Sequence, residues 1–271
     1  MPNLPIELGP KGEGVGLWVA TEKHKYVCDW LIGTRGAWGK FSKRVLIDPF
    51  GGPGRLQVKG ESNTRDGGTV IAWRQSVLNK VPFTSVLIGD ISGPRADANE
   101  QRLRAIGAPV QKFIGAAEET VPTMIKAVPN RSCLTLAYID PYNLENLSFE
   151  IIKQLAQLPN IDLLLHFSVY DMIRNIELET DDDRARFDAA APDWRKAIDP
   201  SKHGKSALRD AFFDYWCAQI KGLGFSVSKS MPLIRTDDNS PRYRLVFFSR
   251  NESVASKVWT DVAQGSNKSL F

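Results

Sequence analysis

The stretch GFSVSKSMPLIRTDDNSPRYRLVFFSR (residues 224–250) decides the predicted fold. It contains two runs typical of strands, GFSVSKSMPLI and RYRLVFFSR, with little more than TDDNSP between them. A parallel pair of strands needs a crossover connection of about a dozen residues or more, so strands joined by so short a loop must be antiparallel. The sequence therefore predicts an antiparallel hairpin near the end of the chain.

Five earlier runs are predicted as strands: RVLIDPF (44–50), TSVLIGD (84–90), PVQKFIG (109–115), SCLTLAYID (132–140) and IDLLLHFSV (161–169). Helical periodicity lies between them, and the runs are almost continuously apolar. This alternation is typical of a parallel sheet covered by helices on both faces. Five parallel strands and a terminal antiparallel hairpin fit the α/β, Rossmann-like, seven-stranded mixed sheet of class I S-adenosylmethionine (SAM) methyltransferases.

The segments between the strands set the expected domain organisation. Residues 1–20 hold three prolines and four glycines and are predicted to be an irregular lead-in. Thr21 is predicted to cap the first helix, and 51–68 to be a loop. Residues 21–271 are predicted to form a single domain, with a polar insertion near 177–205. A helix is also predicted from the spacing of Val70, Trp73, Arg74, Val77 and Leu78.

Composition limits the classes of partner and compartment. The 271 residues include 35 Lys and Arg against 31 Asp and Glu, a net charge of +4, which permits an anionic partner such as nucleic acid. No apolar run approaches the roughly 20 residues that span a bilayer, and the N-terminus lacks a secretory signal. The three cysteines are far apart, which argues against a disulfide framework or a zinc site. We therefore expect a cytoplasmic protein with no membrane contact and no metal.

The first candidate binding motif is IDPFGGPGR (47–55), where the first strand ends. Ligands of open α/β sheets bind at the carboxyl ends of the strands, and glycines there allow close approach of the backbone. Asp48 could accept hydrogen bonds from such a ligand. The alternative is a tight turn with no ligand. A nicotinamide dinucleotide is disfavoured, because its G-x-G-x-x-G pattern opens directly into a helix.

Two further motifs follow later strands. Asp90 closes the second strand and could bind both ribose hydroxyls of a nucleoside, or simply cap the next helix. YIDPYNL (138–144) places Asp140, Pro141 and Tyr142 at the end of the fourth strand. A carboxylate and a backbone carbonyl can accept the protons of a base amine, while an aromatic ring stacks the base. The alternative is an Asp-Pro turn with Tyr142 in the core.

Other polar residues have simpler interpretations. His166 lies inside an apolar strand and is predicted to be a core histidine, and the acidic run 181–183 is predicted to be a solvated loop. Basic residues around the first strand could steer a phosphate backbone or form a solvated edge; they are Lys40, Lys43, Arg44, Arg55, Lys59 and Arg65.

Together, IDPFGGPGR, the aspartate after strand two, IDPYNL, DLLLHFSVYDMIRNI and RYRLVFFSRN resemble the three-Cys-motif partner (TcmP) family. These features extend from about residue 22 to 255. The resemblance implies a class I methyltransferase-like fold. It also implies a protein partner, a radical-SAM-like protein with a three-cysteine motif.

The resemblance further implies a role for each motif. Asp90 would bind the ribose of SAM, and Asp140, Pro141 and Tyr142 would face the substrate. The methionine part of SAM would be held by Asp48, Phe50, Gly51, Gly52 and Gly54. The family commonly has an acidic residue on the adenine side after the third strand, whereas this chain reads FIGAAEE there. Glu118 or Glu119 could take its place, or the contact could be absent.

Two functions are compatible with these motifs. The first is a SAM-dependent methyltransferase acting on a nucleic-acid base amine. The second is an accessory SAM-binding partner of the radical-SAM-like protein. Amino-methyltransferases usually show [DNS]PP[YF], whereas this chain has one proline before Tyr142, which favours the second. The glycine motif and Asp90 favour retained cofactor binding.

Overall fold

The computed structural model of the protein describes residues 4–129, 132–178 and 185–265, and one large sheet runs through them. Five of its strands are parallel: β1 (Lys43–Asp48), β4 (Ser85–Asp90), β5 (Val110–Ile114), β6 (Cys133–Ile139) and β7 (Ile161–Ser168). Three strands complete it: β8 (Ser226–Val227), β9 (Leu233–Arg235) and β10 (Pro241–Ser249). The sheet order is β5-β4-β1-β6-β7-β10-β8, with β10 antiparallel to β7 and to β8. The predicted Rossmann-like α/β sheet, parallel except for its terminal antiparallel strands, is thus confirmed.

The terminal hairpin forms as predicted but with one difference. The run predicted as a single strand is divided into β8 and β9, which both pair antiparallel with β10. The main sheet therefore has eight strands in place of the expected seven. Pro232 lies between the two short strands, and a proline has no N–H to donate to a ladder.

Helices cover both faces of the sheet. One face carries α1 (His24–Trp38), α2 (Gly68–Leu78), α3 (Gly93–Ala105) and α9 (Trp259–Ala263). The other carries α4 (Ala117–Ala127), α5 (Phe149–Leu155), α6 (Val169–Asn175), α7 (Trp194–Ala197) and α8 (Lys205–Gly222). All eight residues of β7 are consequently buried, which explains its continuous apolar run. None of these described helices is long and apolar enough to cross a membrane.

Several local expectations are wrong. Thr21 does not cap the first helix, because a π-helical turn (Val19–Lys23) leads into α1 and the Thr21 hydroxyl donates to the Leu17 carbonyl. Leu78, predicted on an apolar helix face, is 74% exposed. The predicted 51–68 loop contains a small antiparallel hairpin of β2 (Arg55–Gln57) and β3 (Thr64–Asp66).

The first residues of the chain are attached to that small hairpin. Glu7 and Val15 form parallel bridges with Leu56 and Val58. The Arg102 guanidinium donates to the Pro5 carbonyl at 2.6 Å. The segment predicted as an irregular lead-in thus packs beside the turn that follows β1.

The predicted polar insertion near 177–205 contributes to the core. Phe187, Ala190, Ala191 and Trp194 are buried in the cluster beneath α8. The Trp194 ring meets Phe212 of α8 edge-on, with the centroids 5.2 Å apart. The acidic run 181–183 lies outside the described residues.

Candidate functional site

The sheet has a topological switch point between β1 and β6. From β1 the chain proceeds to β4 and β5 on one side, and β6 and β7 then lie on the other. In open α/β sheets, ligands bind outside the carboxyl ends of the strands at such a point. Ile47 pairs with Ala137, so Asp48 and Asp140 follow adjacent strands at the same edge. The two principal sequence motifs therefore lie side by side at this edge, which we call the crevice.

The glycine motif forms a turn that only glycine accommodates easily. Gly52 and Gly54 have φ of +58° and +77°, a region that disfavours other residues. A Cβ on Gly54 would lie 2.5 Å from Asn99 Oδ1, and one on Gly51 would lie 3.1 Å from Asn99 Nδ2. Gly51 and Gly54 thus allow the turn to pack against α3. Around Gly52 the nearest groups are the ends of two flexible side chains, Arg95 and Glu7.

Asp48 is buried behind this turn and is only 2% exposed. Its Oδ2 accepts a 2.5 Å hydrogen bond from the Thr69 hydroxyl, and its Oδ1 accepts one from the Phe50 N–H at 3.1 Å. Desolvation raises the pKa of this carboxyl to about 7. Phe50 is half-buried and packs on the core. In the structure, Asp48 thus joins β1, the turn and the start of α2.

Asp90 lies at the end of β4 with both carboxylate oxygens engaged. Oδ1 accepts from the Ser92 N–H at 2.8 Å, and Oδ2 accepts from Arg95 Nε at 3.2 Å. Arg95 also forms an ion pair with Glu7 of the lead-in. Each carboxylate oxygen has a second lone pair, so Asp90 can still accept hydroxyl protons. Glu118 and Glu119 are exposed in the first turn of α4, beyond the same edge of the sheet.

Asp140 forms a buried ion pair that the sequence did not indicate. Lys23 Nζ lies 2.6 Å from Asp140 Oδ2, and the lysine is almost completely buried. Desolvation is the largest single influence and opposes ionisation of Asp140, but the charge and the hydrogen bond of Lys23, together with the nearby histidines, outweigh it and lower the pKa of the carboxyl. The pKa of Lys23 is raised even against its own desolvation, by Asp140 and then Tyr243. Both groups are therefore charged at neutral pH.

The second oxygen of Asp140 has no hydrogen-bond partner among the described residues. The nearest ring nitrogen is His166 Nδ1, 3.6 Å from Oδ1. Burial lowers the pKa of His166 to about 3, so its imidazole is neutral and adds no charge beside the carboxylate. Oδ1 is thus a buried, negatively charged hydrogen-bond acceptor, while Oδ2 is paired with Lys23.

Aromatic rings enclose this acceptor. His166 meets Tyr138 and Tyr243 edge-on, with ring centroids 5.2 and 5.9 Å apart. Lys23 Nζ lies 4.9 Å from the centroid of the Tyr243 ring. As predicted from the sequence, His166 is a core residue, and it is fully buried, with 0% of its surface exposed. It nevertheless contributes to the wall of the candidate site.

The two residues after Asp140 differ in exposure. Pro141 is buried, whereas Tyr142 is 73% exposed, so the alternative that places Tyr142 in the core is wrong. The loop is fixed just beyond, where the Leu144 N–H donates to Asp171 Oδ2 of α6 at 2.9 Å. An exposed aromatic ring therefore lies on an anchored loop at the mouth of the crevice.

Sequence reasoning missed Lys23 and Tyr243. A lysine in the first turn of an amphipathic helix normally lies in solvent, and Tyr243 belongs to a strand remote in sequence. Two of the basic residues named around β1 are engaged elsewhere. Arg44 donates to the Phe41 and Pro82 carbonyls at the amino end of β1. Arg65 forms an ion pair with Glu61.

No protein-family model and no curated protein matches the chain. Among solved structures, it is similar to a cofactor-bound protein, Rv0187 from MTB, with 16% identity over 88% of this chain and 84% of that one (TM-score 0.48). It is also similar to an O-methyltransferase from Bacillus cereus in complex with SAH, with 11% identity over 92% and 85% (TM-score 0.46). An rRNA methylase from Streptococcus thermophilus has 11% identity over 85% and 95% (TM-score 0.43).

Proposed function

We propose that the chain is a SAM-dependent methyltransferase. The observation that carries the proposal is the pairing, at the switch point of a sheet with this strand order, of a glycine turn after β1 and an unpartnered carboxylate oxygen after β6. A ligand in this crevice would contact backbone on one side and Asp140 on the other. The sequence resemblance to the TcmP family points to the same class of protein.

The residues present fit SAM. Gly52 leaves backbone without a side chain where the methionine part would approach, and Gly51 and Gly54 let the turn pack on α3. Phe50 and Asp48 hold that turn. Asp90 keeps free lone pairs for the ribose hydroxyls. Glu118 or Glu119 would take the adenine side. Bound SAM supplies a methyl group on a sulfonium, which is transferred directly to a nucleophile held in line with it.

The substrate we favour is a base amine of a nucleic acid. Asp140 Oδ1 and the Pro141 carbonyl would accept the two amine hydrogens, which aligns the nitrogen lone pair with the methyl group. As the methyl group of bound SAM is delivered to the amine, Asp140 Oδ1 would take the surplus amine proton and release it to water. Tyr142 would stack on the base, a contact that typically contributes about 1–3 kcal/mol.

Cofactor binding is tested by calorimetric titration of the cofactor-stripped protein. We expect micromolar affinity for SAM and for S-adenosylhomocysteine, and no heat with NAD. Binding of NAD alone would revive the nicotinamide interpretation. Absence of binding for all three would contradict a SAM-dependent function of the chain on its own.

Gly52→Val is expected to reduce SAM affinity by at least 100-fold while the protein stays folded. A β-branched residue at φ +58° is strained, and its methyl groups would occupy the space next to the turn. The measurement is the same titration. The matched control is Gly107→Val, because Gly107 has φ +80° and nothing within 4 Å of its Cβ position. Equal SAM affinities in the two variants would remove Gly52 from the cofactor site.

Asp140→Ala is expected to keep SAM affinity within about threefold and to abolish methyl transfer, because the amine acceptor is lost. Transfer is measured with isotope-labelled SAM and unstructured RNA and DNA as acceptors. The alanine leaves Lys23 buried without its partner, so the double variant Asp140→Ala/Lys23→Met restores charge balance where the single variant fails to fold. Turnover in a folded variant without Asp140 would show that this carboxylate is dispensable.

A second candidate function is the accessory one, a SAM-binding partner of a radical-SAM-like three-cysteine protein. It is favoured by the ion pair that occupies Asp140 Oδ2 and by the contact of Glu7 with Arg95 beside Gly52. Co-expression with a radical-SAM-like three-cysteine protein discriminates the two. SAM binding without turnover, together with co-purification of that partner, would support the accessory function.

A further inference from the structure

A cleft that no sequence motif predicted opens beside the candidate site. It has a volume of about 220 Å³ and lies between the end of β7, α6, α8, β9 and the start of β10. Tyr243 of β10 pairs with Ser168, the last residue of β7, so the cleft lies at the carboxyl edge of the sheet. Neighbouring strands are about 4.8 Å apart, which places β10 roughly 10 Å from β6.

Three arginines line this cleft over an apolar floor. They are Arg209 of α8, Arg235 of β9 and Arg244 of β10, and the floor includes Phe167 and Phe213. The Arg244 guanidinium lies 5.0 Å from the centroid of the Phe213 ring. Asp210 is the one acidic side chain among the lining residues, so the lining carries a net positive charge.

Two more arginines extend the positive surface towards Tyr142. Arg242 lies 4.0 Å from the centroid of the Tyr170 ring, and Arg174 lies 5.4 Å from it. Arg174 also donates to the Tyr170 hydroxyl at 3.0 Å. Arg242 precedes Tyr243 on β10, and the Tyr243 ring centroid lies 4.9 Å from Nζ of Lys23, the ion-pair partner of Asp140. We call the five residues, Arg174, Arg209, Arg235, Arg242 and Arg244, the arginine row.

The row is not neutralised within the described residues. None of its members forms an ion pair with a carboxylate there, and Arg242 Nε is buried without a hydrogen-bond partner. Arg209 and Arg235 each donate one hydrogen bond to a backbone carbonyl, those of Lys205 and Asn239. A guanidinium has five N–H donors, so most remain available. By contrast, Arg55, Arg65, Arg95 and Arg104 all pair with acids.

We propose that the arginine row binds consecutive phosphates of a single-stranded nucleic acid whose target base lies at Tyr142. This inference rests on the proposed function, since it names the substrate of the same site. Arginine forks match phosphate oxygens bidentately, and rings beneath guanidinium groups are typical of surfaces that bind single strands. The row extends from the cleft to Tyr170, so it offers more than one phosphate position. A single strand presents its bases to Asp140 without the cost of flipping one out of a duplex.

The test uses the full chain and a fluorescein-labelled 12-nucleotide RNA of mixed sequence, with binding followed by fluorescence anisotropy at several salt concentrations. The variant is Arg209→Gln/Arg235→Gln, which spares Arg244 and its packing on Phe213. The control is Arg104→Gln/Lys196→Gln, which removes two charges from exposed ion pairs elsewhere. SAM affinity is measured for each protein.

We expect the variant to lose at least tenfold in RNA affinity at 100 mM salt, and the control less than twofold. The slope of log affinity against log salt should fall by about 1.4 in the variant, because each lost single-strand phosphate contact contributes about 0.7. Equal losses in variant and control, or no RNA binding by a wild-type protein that binds SAM, would overturn the inference and leave the proposed function standing. Arginine-dependent RNA binding by a protein that does not bind SAM would support the arginine row and contradict the proposed SAM-dependent function.

Discussion

Lys23→Met is expected to lower the free energy of unfolding by about 3–5 kcal/mol, the usual cost of removing one partner from a buried ion pair. The methionine fills similar volume but leaves Asp140 charged, buried and opposite a neutral His166. The expected loss is measured by urea denaturation at pH 7. Methyl transfer should fall with it, because Asp140 would then ionise less readily.

The matched control lies two residues away. Lys25→Met removes the same charge from a helical i,i+4 pair with Asp29, on a partly exposed side of α1. Surface pairs of this kind contribute about 0.3–0.5 kcal/mol, so this variant should be nearly as stable as wild type. Adding Asp140→Asn to Lys23→Met should recover most of the lost stability. If both lysine variants lost the same amount, the Lys23–Asp140 pair would have no special role.

Asp48→Asn is expected to make the protein more stable than wild type at pH 8, by as much as several kcal/mol. The pKa of Asp48 is about 7 in the fold against an ordinary value of 3.8, and one pKa unit corresponds to about 1.4 kcal/mol. The folded state therefore holds this proton more tightly. Its contribution to stability is complete below pH 4, is lost as the pH rises to 7, and stays lost above that.

The measurement is the difference in unfolding free energy between variant and wild type at pH 5, 6, 7 and 8, because groups common to both proteins cancel in it. The difference should increase with pH and level off above 7. Asp162→Asn is the matched comparison, because burial also raises the pKa of Asp162 to about 7. This residue lies at the start of β7, away from the crevice, so the same pH profile is expected there without any change at the site. Parallel profiles of Asp48→Asn and wild type would contradict the assigned pKa.

Most of the sheet could be predicted because strands that are buried on both faces have nearly continuous apolar sequences. The apolar runs of β1, β4, β6 and β7 are visible without any partner information. The hairpin of β2 and β3 could not be found in this way, since its short strands are half-exposed and lie among glycines and charges. Glu7 of the lead-in also bridges Leu56 of β2, a contact that no local pattern encodes.

The candidate site could be predicted only where a strand end carries a motif. Asp48, Asp90 and Asp140 all lie at the carboxyl edge for that reason. Their hydrogen-bond partners come from other elements, so the inward orientation of Asp48 towards Thr69 could not be predicted. The charge balance at Asp140 depends on Lys23, whose burial follows from the packing of α1 on the sheet.

The enclosure of Asp140 also determines when the site can form during synthesis. Lys23 precedes the first strand of the sheet, whereas Tyr243, which covers Lys23, belongs to the last long strand. At about 5–20 residues per second, the roughly 100 residues between Asp140 and Tyr243 leave the ribosome over some 5–20 s. Throughout that interval the nascent chain already contains every recognisable motif of the crevice. The site is therefore among the last parts of the molecule to assemble. A ribosome-bound intermediate would contain all of the motifs but would lack β10 and the Tyr243 ring that covers Lys23.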